Sequence, residues 1–570
     1  MEESFQMKRT RKKRNNKLGL VGVIIAFILI SVVAAGLVYF EDLFIPSKVL
    51  SEQEYFKVDE DKVAILHNYE LQSATAVLEN NSIYIPLAWY SKLVDNKFYY
   101  SMAEKQVIIT RADEIVKLKF SDKDAQGKNV FIQKGDTMYM LLDKIKEYSD
   151  IIAEDYTNLE VKRVNIVNIF GDYRVAKVKS NTRVFASDSI RSDTVKKLDK
   201  DEEVKILENL TDEEFSNKKW LKVTASEGFT GFIRKSKLVD YETKNLASQF
   251  NAPVYTSLQL GEKVILGWHL VSNKESNDYF EDIVKNTSGM NVISPTWFAL
   301  ADNEGNYKSY ASADYVKKAH DKGLMVWALL DNFNKKVDSE KLFSKTSNRE
   351  KLIEQLMKDV KEYNIDGINI DFETLKQDAI IHYIQFIREL SVACRKEEIF
   401  LTVDVPNYEN FNGFYQRDKL AEVTDYIINM GYDEHYVGSD KGSVASIEYV
   451  KRGIDNTLNE VSADKLINAI PFYTRVWTEK NSKVTSKALG IEASKTWVEE
   501  NNVTLNWDDT IGQYYGSIET NEGTKHIWLE DDKSLELKIN YMKEKNLAGV
   551  AGWRLGLDSK EIWETVIKMK

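Results

Sequence analysis

The C-terminal part of the chain predicts an α/β fold in which eight parallel strands close into a barrel surrounded by helices. From about residue 250 onward, short apolar stretches rich in β-branched residues alternate with helix-like segments. This alternation is typical of a parallel sheet with helical crossovers. The region has about 320 residues, which fits an eight-stranded barrel with a small insertion. Acidic residues at the end of one candidate strand suggest that the barrel carries chemistry.

Each candidate strand is a short apolar run bounded by polar or turn-forming residues. The eight candidates are Val264–His269, Asn291–Phe298, Leu324–Leu330, Asp366–Glu373, Ile399–Val405, Tyr426–Met430, Leu466–Pro471 and Leu547–Trp553. Between the third and fourth candidates an amphipathic helix is predicted, because Leu352, Leu356, Val360 and Tyr363 recur at helical spacing. The long segment Thr485–Asp531, between the last two candidates, predicts an insertion.

The fourth candidate strand, Asp366–Glu373, carries the candidate catalytic residues. Side chains alternate faces along a strand, so Asn369, Asp371 and Glu373 share one face and lie roughly 7 Å apart in succession. Charges on a buried face are costly unless they are paired or used. Barrel active sites lie at the carboxyl ends of the strands, where these acids fall. We therefore expect the active site here.

Asp366, Gly367, Asp371 and Glu373 resemble the Asp-Gly-x-Asp-x-Asp-x-Glu signature of glycoside hydrolase family 18, whose catalytic domain is a (β/α)₈ TIM barrel. The resemblance implies that Glu373 is the general acid. It also implies that the 2-acetamido oxygen of the substrate is the nucleophile, and that Asp371 orients this group and offsets the developing positive charge. Asn369 departs from the usual Asp, as in spore-cortex-lytic members, and we expect it to hydrogen-bond Asp371.

The resemblance extends to residues at other strand ends. Tyr432, within Met430-Gly431-Tyr432-Asp433, is implied to bind the acetamido carbonyl and completes the catalytic set with Glu373 and Asp371. Trp553 is implied to stack beneath the cleaved sugar. The candidate substrate-binding residues are Asp366, Asn369, Met430, Asp433, Tyr473, Arg475, Trp553, Trp297 and Asn332, with Asn407 as a weaker one. Trp268 and Trp327 are expected in the core.

The N-terminal 40 residues predict a membrane anchor. Residues 1–17 form a basic cytoplasmic segment, and Leu18–Phe40 contains no charge and is long enough to span the cytoplasmic membrane as a helix. The positive-inside rule places the rest of the chain outside the cell. The expected localisation is therefore the cell membrane, single-pass, with an extracellular catalytic domain. A cleaved signal peptide is the alternative.

Two smaller domains are predicted between the anchor and the barrel. Residues 41–160 read as an α+β stalk that resembles the N-terminal domain of copper amine oxidases, a resemblance that implies no copper site. Residues 170–240 read as an all-β barrel. Its strand Lys219–Val223, followed by Gly228–Ile233, resembles SH3-like domains, which implies either contact with the cell wall or a spacer role. The catalytic domain is assigned to residues 250–570.

Composition narrows the function further. The net charge of −11 argues against a nucleic-acid partner, and the single Cys394 excludes an intramolecular disulfide. No His/Cys cluster has zinc spacing, and we expect no metal and no cofactor. The leading hypothesis is a membrane-anchored β-N-acetylglucosaminidase that cleaves peptidoglycan. The alternatives are a chitinase acting on external chitin or chito-oligosaccharides, and a catalytically inactive protein that binds cell-wall glycan.

Overall fold

The computed structural model describes residues 48–251 and 254–570. The described chain divides into two compact units, one of residues 48–96 with 121–251 and the other of residues 97–120 with 254–570. The domain boundaries expected at residues 160, 170, 240 and 250 stay predictions.

The first sheet of the N-terminal unit mixes parallel and antiparallel pairing. In spatial order its seven strands are Phe131–Lys134, Thr137–Leu141, Ser82–Pro86, Glu70–Glu79, Lys62–His67, Arg163–Val167 and Ile152–Asp155. Its helices are Glu52–Phe56, Leu87–Leu93 and Leu142–Lys146. The strand Ser82–Pro86 leads directly into the helix Leu87–Leu93, with Pro86 as the residue just before the helix.

The second sheet of this unit is antiparallel throughout. In spatial order its seven strands are Thr194–Leu198, Thr182–Phe185, Thr230–Arg234, Trp220–Thr224, Glu203–Ile206, Gly171–Val178 and Leu238–Leu246. The helix Asp212–Asn217 and the short 3₁₀ turns Ser226–Gly228 and Lys235–Lys237 connect them. A Cβ at Gly231 would lie 2.4 Å from the carbonyl oxygen of Phe185, so only glycine fits this strand contact. The likeness to SH3-like domains stays a prediction.

The second unit contains a closed parallel barrel, whose strands we number β1 to β8. They are Val264–His269 (β1), Val292–Pro295 (β2), Met325–Asp331 (β3), Gly367–Asp371 (β4), Phe400–Pro406 (β5), Tyr426–Met430 (β6), Leu466–Pro471 (β7) and Gly549–Trp553 (β8). Each strand pairs in parallel with the next, and β8 pairs with β1. The predicted α/β barrel is therefore confirmed, with every candidate strand in its expected place.

The barrel helices pack outside the strands. Helices of this unit are Phe280–Val284, Ala313–Asp321, Ser339–Phe343, Thr346–Tyr363, Ile380–Lys396, Arg417–Val423, Ile447–Thr457, Ile491–Glu500, Asp532–Glu544 and Lys560–Val566. Shorter elements are the strands Phe298–Leu300 and Tyr307–Ser309 and the 3₁₀ turns Lys274–Tyr279, Gln377–Ala379, Asn410–Tyr415 and Ile567–Met569. The helix Thr346–Tyr363 buries Leu352, Leu356 and Val360, as its spacing predicts, and ends at Asn364 in the left-handed conformation.

The predicted insertion between β7 and β8 is a separate antiparallel sheet. Its five strands are Lys483–Gly490, Tyr473–Lys480, Gly523–Leu529, Gln513–Thr520 and Leu505–Asp508 in spatial order. The sheet begins at Tyr473, earlier than the predicted Thr485, because Tyr473–Lys480 follows β7 almost directly.

Inside the barrel, side chains from adjacent strands lie in register. Trp327, Gly367 and Phe400 form one row, and the ring centroids of Trp327 and Phe400 are 5.0 Å apart. A Cβ at Gly367 would lie 2.6 Å from Trp327 Cδ1, so the glycine of the motif makes room for the indole. The outward residues of β4, Ile368 and Ile370, are fully buried against the helices.

Residues 97–120, which lie in the predicted stalk region, form a three-stranded antiparallel sheet that belongs to the barrel unit. We call this segment the hairpin. Its strands are Phe98–Ser101, Gln106–Thr110 and Ile115–Lys119. Tyr99 Oη lies 2.7 Å from His382 Nδ1, and Gln385 Nε2 donates to Thr110 Oγ1 at 3.0 Å. The hairpin thus covers helices Thr346–Tyr363 and Ile380–Lys396, beside the buried ion pair of Arg349 and Glu389.

The expected single-pass membrane topology needs correction. Over residues 48–251 and 254–570 no helix is both long and apolar enough to cross a membrane. The predicted span, Leu18–Phe40, lies outside the described residues. The predicted cell-membrane localisation with an extracellular catalytic domain is therefore not retained.

The ion pair beneath the hairpin yields a stability prediction. Glu389 receives Arg349 Nε at 2.8 Å and Nη2 at 2.9 Å, and both side chains are nearly fully buried. Glu389→Gln leaves the guanidinium charge buried without its counter-ion, which should lower the free energy of unfolding by about 3–5 kcal/mol. Denaturant unfolding of the purified protein measures this loss.

The matched control is Glu536→Gln, which removes the carboxylate that pairs with Lys568 on the surface. Exposed pairs contribute little, so this change should cost less than about 1 kcal/mol. Equal losses for the two variants would contradict the assigned role of the buried pair.

Candidate active site

The carboxyl ends of several barrel strands surround a narrow pit of about 170 Å³. Its lining combines carboxylates with aromatic rings and consists of Trp268, Phe333, Asp371, Glu373, Asp404, Tyr432, Asp433 and Trp553. A second chamber of about 350 Å³ shares Glu373, Tyr432 and Asp433 with the pit. The structure therefore brings together the three predicted catalytic residues, Glu373, Asp371 and Tyr432.

Asp371 is the last residue of β4 and faces the barrel interior at the bottom of the pit. Only 4% of its surface is exposed, and its Oδ1 has no hydrogen-bond partner among the described residues. Burial, followed by the charges of Asp404 and Glu373, raises the pKa of Asp371 well above its ordinary value. The pit thus holds a carboxyl group that resists ionisation.

Glu373 lies just beyond β4, at the mouth of the pit. Glu373 is an exposed residue that also lines the pit. Burial, then the charges of Asp433 and Asp331, raises this pKa to about 7. Tyr415 Oη donates to the Glu373 carbonyl oxygen at 3.0 Å, which fixes the local backbone. A carboxyl with this pKa can hold a proton near neutral pH.

Asn369 is fully buried beneath the pit, so it is not positioned to bind substrate. Its amide makes four hydrogen bonds, with Trp268 Nε1 (2.9 Å), Ser294 Oγ (3.1 Å), Thr402 Oγ1 (3.0 Å) and Asp404 Oδ1 (2.7 Å). The expected bond to Asp371 is not among them, because the amide NH₂ is directed to the neighbouring strand β5. Asn369 therefore fixes the pit floor and the indole of Trp268.

Residues that follow β6 form one side of the pit. Tyr432 lines both cavities, and Asp433, which follows it, adopts the left-handed conformation with φ of 59°. Tyr473 Oη donates to Asp433 Oδ1 and so anchors this turn to the insertion sheet. Met430 is nearly buried and lines the second chamber together with Asn407.

Two tryptophans meet at the pit from β1 and β8. The ring centroids of Trp268 and Trp553 are 5.9 Å apart at an interplanar angle of 63°. Trp553 is partly exposed, whereas Trp268 is almost fully buried. Trp553 can therefore offer a flat apolar face to a sugar, as predicted. Trp268, expected only in the core, also touches the pit.

Several predicted substrate-binding residues, Tyr473 among them, line neither the pit nor the second chamber. Asp366 precedes β4 at the opposite end of the barrel, where its Oδ2 accepts from Val326 N at 2.7 Å and lies 2.8 Å from His320 Nε2. Trp297 is fully buried in the outer core and donates to Asn277 Oδ1 at 2.8 Å. Asn332 follows β3 but is buried and lines neither cavity.

Arg475 lies on the insertion strand Tyr473–Lys480 and also lines neither cavity. Its Nη1 donates to Ser486 Oγ at 3.3 Å, on the neighbouring strand. Its guanidinium lies 6.0 Å from the ring centroid of Tyr473. Arg475 is therefore connected to the pit through Tyr473 and Asp433.

Sequence reasoning missed Asp404, Asp331 and Phe333. Asp404 and Asp331 stand near or at the carboxyl ends of β5 and β3, so the strand-end argument applied to β4 also covers them. Phe333 carried no signal, because a single loop aromatic is indistinguishable from a packing residue. Within residues 48–251 and 254–570 no group of three or more His, Cys, Asp or Glu side chains is arranged to hold a metal ion.

Part of the barrel unit is similar in sequence to known proteins. Residues 298–558 match the family model described as glycosyl hydrolases family 18. An uncharacterized glycosylase, YvbX, of Bacillus subtilis is 26% identical over 302 residues, which is 51% of this chain and 87% of the relative. The cortical fragment-lytic enzyme of Bacillus subtilis is 26% identical over 224 residues, 38% of this chain and 52% of the relative.

Chitotriosidase-1 of Mus musculus is 24% identical over 248 residues, which cover 37% of this chain and 53% of the relative. The chain thus spans about half the length of this relative and of the cortical fragment-lytic enzyme. The family match covers β3 to β8 and every residue of the pit except Trp268. Residues 298–558 therefore match glycoside hydrolase family 18, and the chain is a glycosidase with similarity to a cortical fragment-lytic enzyme and to a chitotriosidase.

Proposed function

We propose that this protein hydrolyses β-1,4 bonds next to N-acetylglucosamine in peptidoglycan. The observation that carries the proposal is Glu373, a carboxyl with a pKa of about 7 at the mouth of a pit that also presents Asp371, Tyr432 and Trp553. The family 18 match and the similarity to a cortical fragment-lytic enzyme support the substrate class.

Glu373 is proposed as the general acid. A pKa of about 7 leaves a large fraction of the carboxyl protonated at neutral pH while keeping it acidic enough to release the proton. Its position at the mouth of the pit, shared with the second chamber, suits a glycosidic oxygen that links a sugar in the pit to a sugar in the chamber. Protonation of this oxygen lets the leaving sugar depart as an alcohol.

The acetamido oxygen of the substrate is proposed as the nucleophile. It attacks the anomeric carbon as the bond to the leaving sugar breaks, and water later opens the cyclic oxazolinium ion with retention of configuration. Asp371, buried below the pit, orients the acetamido N–H and balances the positive charge that develops. Tyr432, beside it, donates to the acetamido carbonyl.

The two cavities suggest how a glycan chain is held. Trp553 provides a stacking surface in the pit, and Phe411, whose ring is exposed, lines the chamber with Phe414 and Tyr449. Sugars have apolar faces that stack on aromatic rings. Chitin also carries the 2-acetamido group that the mechanism needs, and the similarity to chitotriosidase-1 makes chitin the second candidate substrate.

The region of residues 170–240 in the N-terminal unit is proposed to contact cell-wall glycan or peptide, and a spacer role is the alternative. Its resemblance to SH3-like domains supports contact. The unit also holds a cleft of about 600 Å³ in which Lys205 Nζ lies 4.5 Å from the ring centroid of Tyr69 and 4.0 Å from that of Tyr173.

The role of Glu373 is tested by Glu373→Gln. The amide keeps the shape of the side chain but cannot deliver the proton, so kcat on a chito-oligosaccharide should fall on the order of 10²–10⁴-fold. Glu397→Gln is the control, because Glu397 follows helix Ile380–Lys396 at the far end of the barrel and pairs with Lys361 on the surface. A Glu373→Gln enzyme with wild-type kcat would refute the assignment.

Substrate assistance is tested by removing the N-acetyl group from the reacting sugar. The de-acetylated oligosaccharide lacks the nucleophile, so its turnover should be nearly abolished, while a thiazoline mimic of the oxazolinium ion should inhibit strongly. Steady-state rates on the matched pair of oligosaccharides provide the measurement. Equal rates would instead require Asp371 to attack the sugar directly.

Peptidoglycan and chitin are distinguished by product analysis. Mass spectrometry of purified peptidoglycan digested with the protein should show fragments with N-acetylglucosamine at the reducing end. Release of oligosaccharides from chitin, with no cleavage of peptidoglycan, would favour the chitinase alternative. Cleavage of neither polymer nor of short oligosaccharides would favour an inactive glycan-binding protein.

A further inference from the structure

Three carboxylates stand side by side across three adjacent strands below the mouth of the pit. In the strand register, Asp331 of β3 is paired with Asp371 of β4, and Asp371 is paired with Asp404 of β5. Neighbouring residues in register point to the same face of a sheet, which here is the barrel interior. Asp371 and Asp404 both line the pit and are both nearly inaccessible.

No positive charge compensates this pair within the pit. Among the residues that line it there is no Lys, Arg or His in the described chain, and the other ionisable groups are Glu373, Asp433 and Tyr432. Asp331, on the neighbouring strand β3, adds a further carboxyl group beside Asp371. Buried carboxylates this close cannot all be ionised, because the charges repel one another and lack solvation. The pair must therefore retain a proton around neutral pH.

The hydrogen bonds indicate how the proton is distributed. Burial raises the pKa of Asp404 well above its ordinary value, and the hydrogen bond that Asp404 Oδ1 accepts from Asn369 Nδ2 at 2.7 Å offsets part of this effect. Asp371 Oδ1 has no partner among the described residues, so a proton on the pair would supply the missing O–H···O bond. The pair therefore carries one proton and one negative charge, both shared between Asp371 and Asp404.

We propose that Asp404 is a positioning residue that shares one proton with Asp371 and thereby holds the Asp371 carboxyl in place. In this arrangement Asn369 is a fixed donor, held by Trp268 and Ser294, and Asp404 provides the second carboxylate of the pair from the neighbouring strand. The catalytic consequence rests on the proposed function, because Asp371 is there assigned to orient the acetamido group. The shared proton itself is independent of that assignment.

The direct test is infrared spectroscopy of the folded protein at neutral pH, in which protonated carboxyl groups have their own carbonyl absorption. Asp404→Asn removes the neighbouring charge, so Asp371 should ionise and the absorption should fall by one group. The same variant should lose kcat by on the order of 10–100-fold, as expected for a displaced reacting group, with little change in KM.

The exchange Asn369→Asp/Asp404→Asn provides a rescue. It moves the carboxylate to β4 and the amide to β5, so the hydrogen bond reverses while the number of carboxyl groups stays the same. The absorption and part of the lost kcat should return. Asp425→Asn is the control for loss of a buried carboxylate, because Asp425 accepts from Leu401 N and Leu258 N at the opposite end of the barrel. It should lower stability and leave kcat unchanged.

An Asp404→Asn protein with the wild-type absorption and wild-type kcat overturns the proposal. So does a correctly folded exchange variant, verified by calorimetry, that fails to recover the absorption. A wild-type protein that cleaves no N-acetylglucosaminide but loses the absorption in Asp404→Asn would refute the proposed function and leave the shared proton intact. Conversely, a wild-type protein that cleaves N-acetylglucosaminides, together with an absorption that is unchanged in Asp404→Asn, would refute the shared proton and leave the proposed function intact.

Discussion

Crowding of carboxyl groups at one end of the barrel is the constraint on which the rest of the site depends. Asp371, Asp404 and Glu373 surround a pit that contains no cation among the described residues. Because these carboxyl groups are close together and shielded from water, they cannot all be ionised at once. At least one of them therefore keeps its proton at neutral pH. A glycosidase needs such a proton, because the leaving oxygen has to be protonated as the bond breaks.

Mutual repulsion of these carboxylates destabilises the barrel, and packing contacts and hydrogen bonds elsewhere in the unit offset this loss. Gly367 lets Trp327 pack beneath β4, and Asn369 uses its whole amide to connect β1, β2, β4 and β5. Outside the strands, the hairpin of residues 97–120 covers the helices that carry Arg349 and Glu389. We infer that these contacts hold the strands in register while the carboxylates repel one another.

Much of this could be predicted from sequence because it depends on local pattern. The bounds predicted for β6 and β7 match those found, and each strand begins directly after a charged residue, Asp425 or Lys465. Glu373 and Asp371 were expected from the end of their strand, and Tyr432 and Trp553 from the family resemblance; all four line the pit. The hydrogen-bond partners of Asn369 could not be predicted, because a side chain inside a barrel can turn to either neighbouring strand and the sequence does not tell which.

Other errors have equally physical causes. Trp297 looked like a site residue because it stands near a strand end, but its ring turned outward into the core beside Tyr315. Asp366 belongs to the same motif as Glu373, yet the length of the strand puts it at the other end of the barrel. The attachment of residues 97–120 to the barrel unit depends on contacts between segments more than two hundred positions apart, such as Gln106 with Thr346, which no local pattern reveals.

The pH dependence of kcat/KM for a fluorogenic N-acetylglucosamine oligosaccharide tests the central claim most directly. Because Glu373 acts in its protonated form, kcat/KM should fall as the pH rises through the pKa of this group, with a descending limb at about 7. The same limb should be absent from the residual activity of Glu373→Gln. A wild-type kcat/KM that stays constant as the pH is raised two units above this value would contradict a raised pKa at Glu373. It would also contradict the conclusion that the carboxyl groups of the pit retain protons at neutral pH.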